Sequence, residues 1–448
     1  MSKDRKSEKL RRENEVLKRE NAELRRRLEK LQKEFDEYRA RHPETVGVKN
    51  GKPYAIRPSV SSPSPKKPGA RKGHKPFSRK MPKNIDKIVD VPVKTCPCCG
   101  GSNLSKRVQE HRERIVEDIP VCKPVVTKFV IERRYCRDCK KLVEMPVTQA
   151  LSKARLGLRS MLLVAYLKIG LRMPVNSIPQ LLREAFGLTI SEGEVCLILE
   201  QMAEAFGPYH DQLLQEIRNA PARHMDETSW RINGENVWLW AFITKGEALY
   251  KIASSRGHKV PLEILGKNPK GIDIHDRYSA YKTLARKTGK RPQQDCWAYI
   301  ICNAKELAQF HGPDGEQILK ILKHTYKQAL SFQHKGTDKD IDKLYNDMKD
   351  QLTQEPYKSH KCWKFVENLL KEKNNLFQFV KNPDVEPTNN RAERALRHSV
   401  IARKISGGNK TPKGAHIYET LTSIHHTLQL RNQNLLTHGS LILQTSHG

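Results

Sequence analysis

The stretch ARHMDETSWRINGENVWLWAFIT, residues 222–244, leaves the chain little freedom. Two runs rich in Thr, Trp, Val, Ile and Phe flank the triplet NGE, and Asn-Gly is the pair best suited to turn a strand back on itself. A hairpin is predicted. ALYKIASS then supplies a third strand, residues near 259–266 a helix, and GIDIHD a short fourth strand. The order is β-β-β-α-β, with Asp226 on the first strand and Asp276 at the end of the fourth.

That order matches the start of a ribonuclease-H-like α/β domain, whose first and fourth strands are neighbours, so the two aspartates can meet at one edge of the sheet. Paired carboxylates repel unless a cation lies between them. A pair of divalent ions would bridge them, and magnesium (or manganese) is hard and oxygen-loving enough to do so. A third carboxylate completes such a site, and EPTNNRAERALR, residues 386–397, offers Glu393. Asn389 and Asn390 would start a helix, Glu393 would face the metals one turn later, and Arg391, Arg394 and Arg397 would hold DNA phosphates. The plainer readings are an i,i+4 pair between Glu393 and Arg397, and turn roles for the aspartates. Asp273 is also eligible by strand position, and Glu386 is the alternative third acid. Glu227 points to the opposite face from Asp226. Trp230, Trp238, Trp240 and Trp297 read as core. Lys404, Gly407, Gly408 and Gly414 suit either DNA backbone contacts or an ordinary loop.

Lys and Arg outnumber Asp and Glu by 82 to 50, a formal net charge of +32, which attracts polyanions. An anionic membrane surface is the competing partner, but no run of 18 apolar residues exists and MSKDRKSEKL lacks the apolar core of a signal peptide. The expectation is a soluble protein of the cytoplasm, associated with the nucleoid. Leu10, Leu17, Leu24, Leu31 and Tyr38 fall on one heptad position, with Ser7, Asn14, Asn21, Leu28 and Phe35 three residues earlier. Leucine at d with asparagine at a predicts a parallel two-stranded coiled coil over 1–42, hence a homodimer. Residues 43–84, rich in Pro, Ser, Gly and Lys, form a disordered basic linker. Residues 85–148 alternate like short strands (KIVDVPV, RIVEDIPV, VVTKFVIERRY, KLVEMPV) between CPCCG and CRDC. Cys96, Cys99, Cys136 and Cys139 suit tetrahedral zinc, although CPCC leaves Cys98 in play. Residues 149–220 look helical; VNSIPQLLREAF and SEGEVCLILEQMAEAF read either as a DNA-binding helix-turn-helix or as two packed helices.

CPCCG with CRDC, HMDETSWRINGENVWLW, DRYSAY, CWAYIICNAKEL, EPTNNRAERALR and SGGNKTPKGAHIYETLTSI together resemble the DDE transposases of insertion-sequence family sixty-six along nearly the full chain. The resemblance implies a zinc-binding N-terminal domain and a ribonuclease-H-like catalytic domain over 221–430, interrupted by a helical insertion at about 300–380 and followed by a variable tail over 431–448. It maps the catalytic triad onto Asp226, Asp276 and Glu393, with double-stranded DNA (element ends and target) as partner and accessory proteins of the same element as further ones. DNA contacts are expected of Arg394, Arg397 and Lys404. The family usually carries histidine after C-W-A, arginine three residues later and aspartate before the paired asparagines; here stand Tyr299, Cys302 and Thr388. Those departures support the rival reading, a transposase-derived DNA-binding protein without cleavage.

Overall fold

The computed structural model describes residues 81–445 apart from Lys153 and Lys290, and a few scattered positions before residue 81. The coiled coil expected over 1–42, but for single helical positions, and most of the linker over 43–84 lie outside the described residues. The chain divides into two units, 1–117 and 118–448.

In the first unit a two-stranded ribbon pairs β1 (Gly47–Lys49) with β2 (Lys52–Tyr54). Residues 85–117 form no strand, and Ile88 and Val91 stand exposed. In the second unit the only strands before residue 222, among the described residues, are β3 (Arg133–Cys136) and β4 (Lys141–Glu144), an antiparallel pair spanning the CRDC knuckle. The other strands expected between residues 85 and 132 are therefore absent among the described residues. β-branched alternation favours strands only where a partner strand or a core receives it, and Ile119, Val121, Val125 and Val126 have neither.

The helices that follow are α1 (Leu158–Ala165), prolonged by a π-helical turn at Tyr166–Gly170, then α2 (Ser177–Phe186), α3 (Glu192–Ala205) and α4 (Gly207–Asn219). Gly187 ends α2 in the left-handed region at φ 68°, and Ser191 Oγ caps α3 by accepting from the N–H of Glu194 at 3.1 Å. α3 carries Glu192, Glu194, Glu200 and Glu204 but no Lys or Arg, and it buries Val195, Ile198 and Met202. An acidic helix repels phosphate. The two-helix geometry is present, yet its second helix serves packing.

A mixed five-stranded sheet comes next: β5 (Ala222–Ile232), β6 (Glu235–Ile243), β7 (Ala248–Ala253), β8 (Ile272–His275) and β9 (Gln293–Asp295), in the order β7-β6-β5-β8-β9. β5–β6 and β6–β7 are antiparallel, β5–β8 and β8–β9 parallel. α5 (Lys259–Leu265) joins β7 to β8, and α6 (Ser279–Lys287) joins β8 to β9. After β9 the chain makes a helical excursion: α7 (Trp297–Phe310), α8 (Gly312–Ser331), α9 (Asp338–Thr353), α10 (His360–Leu370), α11 (Lys373–Leu376) and α12 (Gln378–Lys381). It returns in α13 (Asn390–Ser406), α14 (Pro412–Leu430) and α15 (Leu435–Thr445). Strand alternation sends Trp230, Leu239 and Tyr250 into a core with Leu162, Met202, Leu396 and Leu428. Met225, Trp240 and Phe242 face the other way, onto Ile217, Ile264 and Leu284. The sheet is thus a middle layer, with α1, α3, α13 and α14 on one side and α5 and α6 on the other, while α4 reaches both cores through Leu213 and Ile217. The excursion packs a further core around Trp297, Leu322, Leu344 and Phe377, which also takes in Ile272 and Ile274 of β8.

Candidate active site

Ladder register places the first two acids. β5 and β8 pair Ala222 with Ile272, Arg223 with Asp273 and His224 with Ile274. Continued two residues, that register carries Asp226 alongside Asp276. Asp226 shares a sheet face with Trp230, the face on which α13 packs, and Glu393 lies in the first turn of α13. The Asp276 carboxylate accepts from the N–H of Tyr278 at 3.0 Å, and Arg277 between them takes a left-handed φ of 73°.

These acids share an electrostatic field. Burial, then the Asp276 charge, then Glu227 and more weakly Glu393 push the Asp226 carboxyl up to about 8. Glu393 is raised too, by burial and then Asp276, while Arg394 and Arg397 pull it back. The Tyr299 phenol is pushed up to about 12 by burial, then Glu393, Asp226 and Asp276. Even so, among the described residues no three Asp, Glu, His or Cys side chains are gathered tightly enough to grip a metal ion as they stand.

The other acids are accounted for. Asp273 is fully buried between Arg223, at 2.6 Å, and Arg291. Glu386 pairs with Arg391. Glu227 sits on the opposite face, accepting from Arg256 Nε at 2.8 Å and from the Tyr281 hydroxyl. Asp295 was not singled out in the sequence; it is buried at the end of β9, 3.0 Å from Arg277 Nε. Its signal was the strand position beside His275, which only the sheet order reveals.

Arg394, Arg397 and Lys404 are exposed on α13. The glycine loop after it is structural. A Cβ on Gly408 would come within 2.4 Å of the Arg231 carbonyl, and Asn409 Oδ1 accepts from the Trp230 indole N–H at 2.8 Å. Trp230, Trp240 and Trp297 are core, while Trp238 lies under the Arg256 guanidinium.

The knuckles share one local shape. Gly100, after Cys99, has φ 71°, and Lys140, after Cys139, has φ 55°. Hydrogen bonding from the N–H groups of Cys99 and Cys98 holds the Cys96 thiol below its ordinary range. Cys136 is lowered likewise, first by the N–H of Cys139. A lowered thiol suits zinc, and a left-handed residue follows Cys99 and Cys139 alike.

Comparison with known proteins places these features together. The profile of the zinc-finger binding domain of transposase IS66 matches residues 94–140, which contain both knuckles. Two Sinorhizobium fredii proteins (strain NBRC 101917 / NGR234), the uncharacterized proteins y4hP and y4jD, are each 24% identical to this chain. The first alignment covers 74% of this chain and 67% of y4hP, the second 78% and 75% of y4jD. The profile of the transposase IS66 family itself matches residues 154–417, a span holding Asp226, Asp276 and Glu393, and the chain belongs to that family.

Proposed function

We propose that this transposase cleaves the ends of its element and joins them to target DNA by phosphoryl transfer on a ribonuclease-H-like core. The supporting observation is the parallel register that sets Asp226 beside Asp276, with Glu393 brought into their field by α13. Asp226, Asp276 and Glu393 would hold magnesium (or manganese). Their donors are all hard oxygens, and Asp226, pushed up to about 8, keeps its proton at neutral pH unless a cation offsets its neighbours. Such ions activate an attacking hydroxyl and stabilise the leaving oxygen.

The chain's own contribution is placement and charge. Arg394, Arg397 and Lys404 lie on the helix that carries Glu393 and would grip phosphates beside the acids. Tyr299 keeps its proton through the physiological range and offers a neutral donor there. Hydrolysis would free a 3′ hydroxyl that attacks target DNA, with no covalent protein intermediate. Zinc at Cys96, Cys99, Cys136 and Cys139 would order the N-terminal module, a coiled coil over 1–42 would pair two copies, and accessory proteins of the element are further partners.

The rival reading, DNA binding without cleavage, is favoured by Tyr299 and Cys302. Glu393→Gln decides between them in an element-end cleavage assay with magnesium. Loss of the charge should slow cleavage by orders of magnitude while DNA affinity persists. Equal rates for Glu393→Gln and the parent would remove Glu393 from the site.

A further inference from the structure

Asn389 is fully buried at the N-terminal boundary of α13, yet its side chain makes no capping bond to its own helix. Asparagine in that place ordinarily satisfies a free N–H of the first turn. Here the amide is spent elsewhere. Its Nδ2 donates to the carbonyl of Met225, the residue before Asp226, at 2.8 Å. Its Oδ1 lies 3.3 Å from Nδ1 of His224 on the same strand. The Asn389 carbonyl accepts from the N–H of Glu393 itself, at 3.3 Å.

The strand of Asp276 joins through one more residue. The backbone N–H of Asn389 donates to Sγ of Cys296 at 3.1 Å. Cys296, also fully buried, donates its own N–H to the carbonyl of His275, the residue before Asp276, at 2.9 Å. Two buried residues, through their side chains and their own backbone groups, therefore connect the backbone immediately beside all three acids, through bonds that no solvent competes for.

Resting on the reading of those acids as the metal-holding set, we propose that Asn389 and Cys296 are positioning residues, a buried clasp that fixes the helix of Glu393 against the strands of Asp226 and Asp276. Displacements on the order of 1 Å cost roughly a hundredfold in rate, and partners behind a metal ligand typically govern about 10–100-fold in affinity.

The test uses the zinc-loaded, full-length protein, with Mn2+ binding followed by electron paramagnetic resonance, element-end cleavage, DNA affinity and melting temperature. Asn389→Ala should weaken Mn2+ binding by about tenfold and slow cleavage by about a hundredfold, with DNA affinity retained. Cys296→Ala should lower both in the same direction. Cys296→Ser, which keeps an acceptor for the Asn389 N–H, should restore them to within about threefold of the parent. Parent-like Mn2+ binding and cleavage in Asn389→Ala would overturn the clasp. So would a Cys296→Ser protein as impaired as Cys296→Ala, since volume rather than hydrogen bonding would then matter. Should Asn389→Ala fail to fold, the two Cys296 variants decide alone. Asp226→Asn separates this failure from the larger one. If it too leaves Mn2+ binding and cleavage intact, the acid site is wrong; if it abolishes both while the clasp variants match the parent, only the clasp is lost.

Discussion

At the scale of single residues, identical chemistry carries opposite consequences depending on partners. Asp273 and Asp276 lie three positions apart, yet the first is locked between two guanidiniums and the second lies beside another acid. Asp273→Ala would strand the buried Arg223, and removing one partner of a buried pair costs roughly 3–5 kcal/mol. Chemical denaturation should report that loss; a change below about 1 kcal/mol would mean that Arg223 is held by its carbonyl contacts alone. Arg397→Ala should weaken DNA binding and flatten its salt dependence without altering the melting temperature. The types of the three acids were legible in the sequence, because their spacing followed a recognisable strand order and family motifs. The partners were not. Nothing in GIDIHD says that Arg223 and Arg291 converge on Asp273, since those contacts span 50 and 18 residues and depend on how the strands are ordered in the sheet.

At the scale of elements, strong local signals survived and weak ones yielded to context. The expected hairpin formed, with a turn one residue shorter than the triplet NGE: Asn233 and Gly234 make it, and Glu235 already pairs with Ile232. The strands expected between residues 85 and 132 did not form, because their alternation had no surface to bury against. Order in that module should then depend on the metal. Cys139→Ser should release zinc and increase proteolysis within 85–148 while the α/β region melts as before; full zinc retention would sink the four-thiol assignment. A second junction is sensitive to acid. His398 bridges Arg172 and the carbonyl of Ile169 on the π-helical turn, near His425 and His426 of α14. Burial, with His398, His426 and Arg172 adding to it, brings His425 down to about 4. A histidine lowered in the folded state costs nothing above the unfolded value of about 6.5 and destabilises progressively as pH falls from there towards 4. His425→Leu should therefore gain roughly 2 kcal/mol relative to the parent between pH 8 and pH 5. A stability difference that stays constant across that range would show that His425 titrates alike in the folded and unfolded states, so that burial does not lower it.

At the scale of the whole molecule, charge and length mattered more than pattern. The excess of cations argues for a polyanionic partner irrespective of fold. No helix among the described residues is long and apolar enough to cross a membrane. Deleting residues 1–42 should convert a dimer to a monomer in sedimentation, and an unchanged mass would place the interface elsewhere. The helical excursion has a consequence of its own. The N–H of Trp297, where it leaves, donates to the carbonyl of Pro387, where it returns, at 3.0 Å. Departure and return are thus stitched close together, here and at the bond from the Asn389 N–H to Cys296, and the closure entropy of what lies between grows only logarithmically with its length. Such a module can gain or lose whole turns at its far end while its roots stay fixed. Peptides grafted into the loop between α9 and α10 should be tolerated, leaving that part of the chain open to diversification while the sheet beneath keeps its chemistry.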